Sequence, residues 1–458
     1  MSIVGGVPAG YKPSYAARPS KDLSCGLWCR IIRKIMWFQR STAALSQDEV
    51  QPLPATRLIA IPTGTEAVLL FGLTPTQRLQ RQLVLAQRAA RKTLAQQRRR
   101  KKAISSQQPT LPQGTLVAWD DLVLDDRLLQ VLMAQRCAAL HTADGLQALW
   151  VPHEQASLAM TILAGQQQLA TLEGCQIISP DTLADTYSKK LRRADVPLCL
   201  RAHAVGQDQA ERALFAAVYK GMTDLVTKWA WPKPAFWLTR WAAHRGIRPN
   251  QVTLVGACCM LAAGVGFWHG HFGWALVTAW AMSLLDTVDG KLARTTATSS
   301  RFGHVLDHGM DIVHPPFWYL AWAVGLEGLS WHWPILGVVF AGYALGRMAE
   351  GLFSMLAWPC SLFTWKPWTS VLRLVTARRN PNLILLSTTT LVGAPEVGLL
   401  AVAAWTAVTT AALWWATGKA LWQRARGMAI VPWLARQDQH ASASVPVWMA
   451  RLLDIRSV

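Results

Sequence analysis

Charge is scarce in this chain. Asp, Glu, Lys and Arg make up 16% of its 458 residues, where about a quarter is usual in a soluble domain, and the shortage argues against a protein that is soluble throughout. The eight cysteines lack zinc-like spacing. Cys25 and Cys29 in CGLWC have no second pair beside them, so they read as free thiols, and no disulfide framework is implied. The first 24 residues lack an uninterrupted apolar core and a cleavage site, so no signal peptide is expected. What the chain does hold is apolar: 52% hydrophobic residues, 24 tryptophans and a mean hydropathy of +0.19, a composition that favours a membrane protein. The net charge of +20 suits nucleic acid and anionic lipid headgroups equally. The apolar spans described below decide for lipid, and no nucleic-acid partner is expected.

Acid is almost missing between residues 251 and 330, and where it occurs it is clustered. Apart from Glu327, the only carboxylates there are Asp286, Asp289, Asp307 and Asp311. If both flanks are helical, the first pair sits at i, i+3 and the second at i, i+4, so each pair lies on one helix face. The polar link from Thr295 to Arg301 lets the two helices turn back and bring those faces together. Carboxylates at the mouth of apolar segments are costly and default to a functional reading. Clustered, they repel unless cations neutralise them, and hard oxygen ligands suit Mg2+ or Mn2+. An ion-coupled transporter helix pair, or a buried ion network, would use the same carboxylates.

The spacing D-x2-D-G-x2-A-R-x8-G-x3-D-x3-D is complete at Asp286, Asp289, Gly290, Ala293, Arg294, Gly303, Asp307 and Asp311. It resembles the signature of the CDP-alcohol phosphotransferases, integral membrane enzymes of phospholipid synthesis. The resemblance implies transfer of a substituted phosphate from a CDP-alcohol, such as CDP-diacylglycerol, to an alcohol acceptor with release of CMP. It also implies roles. Asp286, Asp289, Asp307 and Asp311 would bind divalent metal, with Asp311 also a candidate catalytic base. Gly290, Ala293 and Gly303 would keep the helix faces bare for the nucleotide, and Arg294 would pair with its phosphate oxygens. A homodimer is implied in the same way. The physics agrees: metal neutralises pyrophosphate, a nearby carboxylate removes the proton of the attacking hydroxyl, and small residues allow close backbone approach.

Around this motif the chain reads as multi-domain. Residues 1–50 are a Pro/Gly/Ser-containing start followed by a basic amphipathic helix at Cys25–Arg40, lying on a membrane surface or packing into the next domain. Residues 51–205 read as a soluble α/β domain. Its short β-rich runs RLIAI, AVLLF, TLVAW, ALWV and CQIIS alternate with helical patterns such as Asp126 to Leu140. Gln77 to Lys102 contains no acid, and is either a solvated helix face or a surface for anionic lipid. The segment FGLTPTQRLQRQL, residues 71–83, follows an expected strand and looks like a degenerate form of the opening strand-loop-helix of sugar-phosphate nucleotidyltransferases, a domain to which some CDP-alcohol phosphotransferases are fused. Gly72, Arg78 and Leu79 carry that likeness, but the close-spaced glycines and the lysine of the nucleotide loop are missing. Few backbone N–H groups could then cradle a triphosphate, and the domain is expected to be a catalytic relic; were it active, the chain would also make its own CDP-alcohol.

Residues 206–250 form a juxtamembrane junction, with Phe236, Trp237, Arg240, Trp241 and Arg245 marking an interfacial helix. The stretch RPNQVT at Arg248 to Thr253 resembles the family's approach to its first membrane helix, and Asn250 and Pro249 suit a helix start. Residues 251–425 are expected to form an all-α six-helix membrane domain with apolar segments near 251–268, 272–289, 303–325, 332–353, 382–395 and 398–418, and residues 426–458 a cytoplasmic tail. The loops WHGHF, EGLSWHW and GAPEVG lack Lys and Arg, whereas the opposite loops carry Lys291, Arg294, Arg301, Lys366 and Arg424. By the positive-inside rule both termini and the aspartates face the cytoplasm, as in a bacterial inner membrane.

Two further sets of residues lie near the aspartates. His304, His308 and His314 fall a turn from Asp307 and Asp311 but read better as interface packing than as ligands, and His269 and His271 belong to the opposite loops. Arg347, Arg373, Arg378 and Arg379 have guanidinium forks suited to a phosphate on the acceptor, such as glycerol phosphate or inositol phosphate. Positive-inside anchoring explains the same arginines.

Overall fold

A computed structural model describes residues 56–100, 113–184, 186–299, 301–326, 332–357, 360–435 and 447–453. The basic helix expected at Cys25–Arg40 lies outside the described residues.

The N-terminal region is an α/β unit with a five-stranded mixed sheet in the order β1-β2-β5-β4-β6. β1 (Thr56–Ile61) runs parallel to β2 (Gly114–Trp119), which pairs antiparallel with β5 (Gly145–Val151). β4 (Ala138–Thr142) forms a hairpin with β5 and pairs in parallel with β6 (Gln176–Ile178). The run TLVAW is apolar throughout because both faces of β2 are covered. Leu116 and Ala118 join Leu79 and Leu83 of α1 (Pro75–Arg100) and Leu128 and Leu132 of α2 (Asp126–Ala134). Val117, one residue out of phase, packs with Ala159 and Ile162 of α3 (Ala156–Leu163). A separate ribbon pairs β3 (Leu122–Leu124) with β7 (Cys199–Arg201).

Two expectations need correction here. The helical pattern from Asp126 stops at Ala134, and Ala138–Leu140 belongs to β4 instead. AVLLF is not a strand: Leu70 and Leu73 bridge across a tight turn, and Leu70 and Phe71 are buried against α4 (Gln207–Ala217) and α5 (Pro232–His244). A short apolar run gives no periodicity that separates strand from buried turn. Its hydrogen bond goes sideways, from the Phe71 N–H to the Glu211 carboxylate at 2.8 Å.

The C-terminal region is helical. α6 (Pro249–Trp268), α7 (Phe272–Thr295), α8 (Arg301–Gly325), α9 (His332–Leu356), α11 (Arg379–Leu391) and α12 (Pro395–Ala425) occupy the six apolar segments, with α10 (Pro367–Val375) before α11. Among the described residues, three of these, α6, α9 and α12, are long and apolar enough to cross a membrane. α11 has 13 residues, short of the ~20 a full span needs. Leu254, Leu261, Val265, Met355, Val408 and Trp415 are exposed, as expected of helices whose outer face meets lipid. Small residues set the helix contacts: a Cβ on Gly342 would come within 2.6 Å of Thr406, and Thr410 donates to the Gly342 carbonyl at 3.0 Å. One apolar cluster joins the two regions, with Leu70, Phe71 and Val123 beside Leu214, Phe236, Val252, Val288 and Leu292.

Candidate active site

The site is built where α6, α7, α8 and α11 converge. α6 begins with Pro249 in its first turn, and the Gln251 side chain accepts the Arg248 N–H at 2.8 Å, closing the helix start. One turn on, the Thr253 hydroxyl lies 2.6 Å from Asp289 Oδ2 and donates to it. Asp289 is only 5% exposed, so this hydrogen bond supplies part of what burial removes. On the next face of α7, Asp286 accepts from Arg379 Nη2 at 2.6 Å, and Arg379 Nη1 reaches Asp311 of α8 at 3.0 Å. One guanidinium from the start of α11 thus joins carboxylates 25 positions apart in sequence. Asp311 is the most open of the three, 41% exposed in its side chain against 19% for Asp286.

Arg379 is itself held from behind. Its neighbour Asn380 bonds to Ser283 of α7 through Oδ1, and its Nδ2 donates to Asp224 at 2.9 Å and Thr227 at 3.2 Å. Burial raises the Asp224 carboxyl, but the Arg373 guanidinium and the hydrogen bonds from Asn380 and Thr227 outweigh it and hold it below the ordinary range. Asn382, a turn beyond Arg379, donates to the Tyr319 hydroxyl at 2.6 Å. In α8, Pro316 has no N–H for the Ile312 carbonyl four residues earlier, and the Tyr343 hydroxyl supplies a donor at 2.8 Å. The carbonyl one residue past Asp311 therefore keeps a donor.

The small residues of the motif lie along the same two helices. The Arg294 guanidinium folds back over Gly290, where a Cβ would stand 3.3 Å from Nη2. Ala293 is half-buried, and its carbonyl accepts from the Thr298 N–H at 2.9 Å in the link between the two aspartate helices. Gly303 lies on α8, half-buried. The side chains of Asp307, His304 and His308 lie outside the described residues. His314 is packed, its Nδ1 2.6 Å from the Met310 carbonyl and its ring against Trp318.

The four arginines do not stay together. Arg379 joins the aspartates. Arg378 pairs with Glu350, and Arg347 lies 3.7 Å from the same carboxylate, along a small cleft between α9 and α12 that Tyr343 and Thr409 also line. Arg373 is 9% exposed and stands over the Phe363 ring with Arg378. Burial, with Arg378 close by, brings its guanidinium down to about 9. Reasoning from sequence missed Thr253, Glu350, Asn380 and Asp224. Thr253 closes the RPNQVT stretch and could have been read as a site residue from that motif; the other three carry no local signal.

The donor set suits a hard cation. Asp286 and Asp311 come from different helices and meet on one positive charge, which a divalent ion could replace, and every acidic donor is oxygen. Among the described residues no three His, Cys, Asp or Glu side chains converge on one point.

Residues 247–449 match the family model described as CDP-alcohol phosphatidyltransferase. A phosphatidylinositol phosphate synthase of Streptomyces avermitilis is 36% identical over 80 residues, 17% of this chain and 33% of that protein. One from Mycobacteroides abscessus is 38% identical over 69 residues, 15% and 31% of the two chains. An archaetidylinositol phosphate synthase of Pyrococcus horikoshii is 38% identical over 69 residues, 15% and 37%. The chain thus spans about a third of the length of the curated relatives it matches. A crystal structure of Mycobacterium tuberculosis phosphatidylinositol phosphate synthase with CDP-DAG bound aligns at a TM-score of 0.29 and 19% identity, over 39% of this chain and 91% of that one.

Proposed function

We propose, from the match of residues 247–449 to the family model described as CDP-alcohol phosphatidyltransferase, that the protein transfers a substituted phosphate from a CDP-alcohol to an alcohol acceptor and releases CMP. The observation that carries the reading is the meeting of Asp286 and Asp311 on one cationic group, inside a motif complete at all eight positions.

Asp286, Asp289, Asp307 and Asp311 would hold Mg2+ or Mn2+, which neutralises the pyrophosphate and stabilises the departing CMP. Arg294, which lies over Gly290, would swing off that glycine to donate to phosphate oxygens, leaving the α7 face bare for the nucleotide. Asp311, the most exposed of the described carboxylates, takes the proton of the acceptor hydroxyl as its oxygen bonds to the phosphorus bearing the donor alcohol. The bond from that phosphorus to the bridging oxygen breaks, and CMP leaves with the electron pair. Thr253 fixes Asp289 by its hydrogen bond, so that carboxylate cannot swing toward the acceptor.

The relatives are named as synthases of phosphatidylinositol phosphate or archaetidylinositol phosphate, and with the arginines around Glu350 those names favour a phosphate-bearing acceptor such as inositol phosphate, with CDP-diacylglycerol as donor. Arg347, Arg373 and Arg378 would bind the acceptor phosphate; Arg379 is reassigned to the carboxylates. The surrounding domain is proposed to cross a bacterial inner membrane six times with both termini and the site on the cytoplasmic side, as a homodimer. The α/β region is proposed to be a nucleotidyltransferase-like relic, because the loop at Gly72 lacks paired glycines and Pro75 removes an amide donor.

Purified protein in detergent, given CDP-diacylglycerol and Mg2+, is expected to release CMP with inositol phosphate and far less with inositol. No metal-dependent CMP release with any alcohol or alcohol phosphate would refute the reaction. Equal rates with inositol and its phosphate would refute the arginine assignment.

A further inference from the structure

The C-terminal end of α7 has carbonyls that its own helix cannot serve. The chain turns away through Ala297, at φ +51, into the link that carries it to α8. The Leu292, Ala293 and Arg294 carbonyls find donors within the turn, from the N–H groups of Thr296, Thr298 and Ala297. The next two are served from a different region of the protein. Arg78 Nε donates to the Thr295 carbonyl at 3.0 Å, and Arg81 Nη1 to the Thr296 carbonyl at 3.1 Å. Both arginines lie on α1 of the α/β region, more than 200 residues away in sequence. Cations at a helix C-terminus are also favoured by the helix dipole.

Arg78 is not a surface side chain that happens to reach. It is 4% exposed, and its Nη1 donates to Gln82 Oε1 at 2.9 Å and to the Leu124 carbonyl at 3.1 Å. Gln82 in turn donates to that carbonyl and to Asp126 at the start of α2. Leu79 and Leu83, on the same helix, lie in the sheet core. The guanidinium is therefore anchored to a packed unit at one end and to the aspartate hairpin at the other. The residues that carry the nucleotidyltransferase likeness all serve this docking. Gly72, at φ +73, lies where a Cβ would come within 2.9 Å of the Ala243 carbonyl of α5, Arg78 caps α7, and Leu79 fixes α1 to the sheet.

We propose that Arg78 and Arg81 are positioning residues for the phosphotransfer site: they clamp the link between the two halves of the aspartate motif and so set the separation of Asp286 and Asp289 from Asp307 and Asp311. The α/β region is then a brace for the catalytic hairpin, a structural role compatible with its reading as a catalytic relic. The inference rests on the proposed reaction only for its kinetic part; the clamp itself is a matter of hydrogen bonds.

The test uses full-length protein in detergent, with two readouts. Hydrogen exchange of the Thr296, Ala297 and Thr298 amides reports the link, and CMP release against Mg2+ concentration reports the site. In Arg78→Met, exchange in the link is expected to rise by ~10-fold or more as local opening becomes easier. The kcat should fall by ~10-fold or more, since an ångström of misplacement is enough for such losses, and half-saturation by Mg2+ should move upward. Arg78→Lys, which can still donate to one carbonyl, should recover part of both. Should Arg78→Met fail to fold, the half-buried Arg81→Gln gives the same pair of readings with smaller changes. Arg91→Met, on the exposed side of α1, should change neither. Exchange that rises without a kinetic loss, a kinetic loss without a rise in exchange, or an equal loss in Arg91→Met would each overturn the proposal. If the wild type releases no CMP at all, the proposed reaction falls, and the clamp stands or falls on exchange alone.

Discussion

The α/β region and the helical region both have apolar cores, but they differ in their surfaces and in the polar groups they hold inside. In the sheet unit the interior is Leu116, Val117, Leu128, Leu149 and Trp150, and the buried acids sit beside arginines, Asp121 with Arg201 and Asp125 with Arg127. In the helical unit Leu254, Leu261, Met355, Val408 and Trp415 face outward, while Ser283, Asp289, Asn380, Asn382, Thr406, Thr409 and Thr417 are inside. One rule produces both patterns, because each surface matches its surroundings, and hydrocarbon surrounds the second unit. Polar groups inside the helices replace water as partners for one another. Carboxylates there are a cost, and their clustering is evidence of chemistry in a way that a buried acid of the sheet unit is not.

The sharpest test of that contrast is Asp311→Asn. Turnover should fall by ~10²–10⁴-fold, the usual loss of one catalytic base, with nucleotide still bound and the thermal midpoint no lower than wild type. A near-normal rate would remove Asp311 as base, and a large drop in midpoint would make it a structural acid like Asp121. Next in size is a pair of truncations. Trp150→Ala, in the sheet core, should cost about 3–5 kcal/mol, whereas Val408→Ala on the outer helical face should stay within ~0.5 kcal/mol in detergent. Similar losses for the two would undo the two-solvent reading. The smallest effect is pH dependence at the junction. The Asp224 carboxyl is held below its ordinary value by Arg373, Asn380 and Thr227 against the opposing effect of burial, so its contribution is full above ~pH 4 and fades as pH falls through the lowered value. Asp224→Asn should therefore melt earlier than wild type at pH 7, and the gap should narrow as pH falls below ~4. A gap that does not narrow at all as pH falls below ~4 would mean that the loss comes from packing and not from charge.

Much of the helical unit was legible because acids cannot hide in apolar sequence. Asp286 and Asp311 stood out against their neighbours, and the structure brings both to one guanidinium. The strands around TLVAW and ALWV were legible from their β-rich runs, and AVLLF was not, because five apolar residues fit a buried turn as well as a strand. Arg379 was noticed for its charge, but its contact with the two aspartates was not foreseen. Its partners lie 93 and 68 positions away, and no local pattern reports that α11 starts beside α7. The same holds for Arg78, whose acceptor carbonyl is 217 positions on. Chemistry that depends on residue type was readable; pairings made by the approach of distant backbone were not.

The shortness of α11 has a consequence for where reactants meet. Thirteen residues rise about 20 Å, against a hydrocarbon thickness of ~30 Å. On the proposed six-span topology, with the turn at Gly393 at one interface, Arg379 would end about 10 Å inside the other, and Asp286 and Asp311, which it joins, would lie near that depth. Such a mismatch thins or dimples the bilayer locally. A donor anchored by acyl chains can present its diphosphate there without leaving the leaflet. For such a donor the relevant concentration is its mole fraction in the membrane plane, so added inert lipid should slow turnover by surface dilution even when the total amount of donor per volume is unchanged.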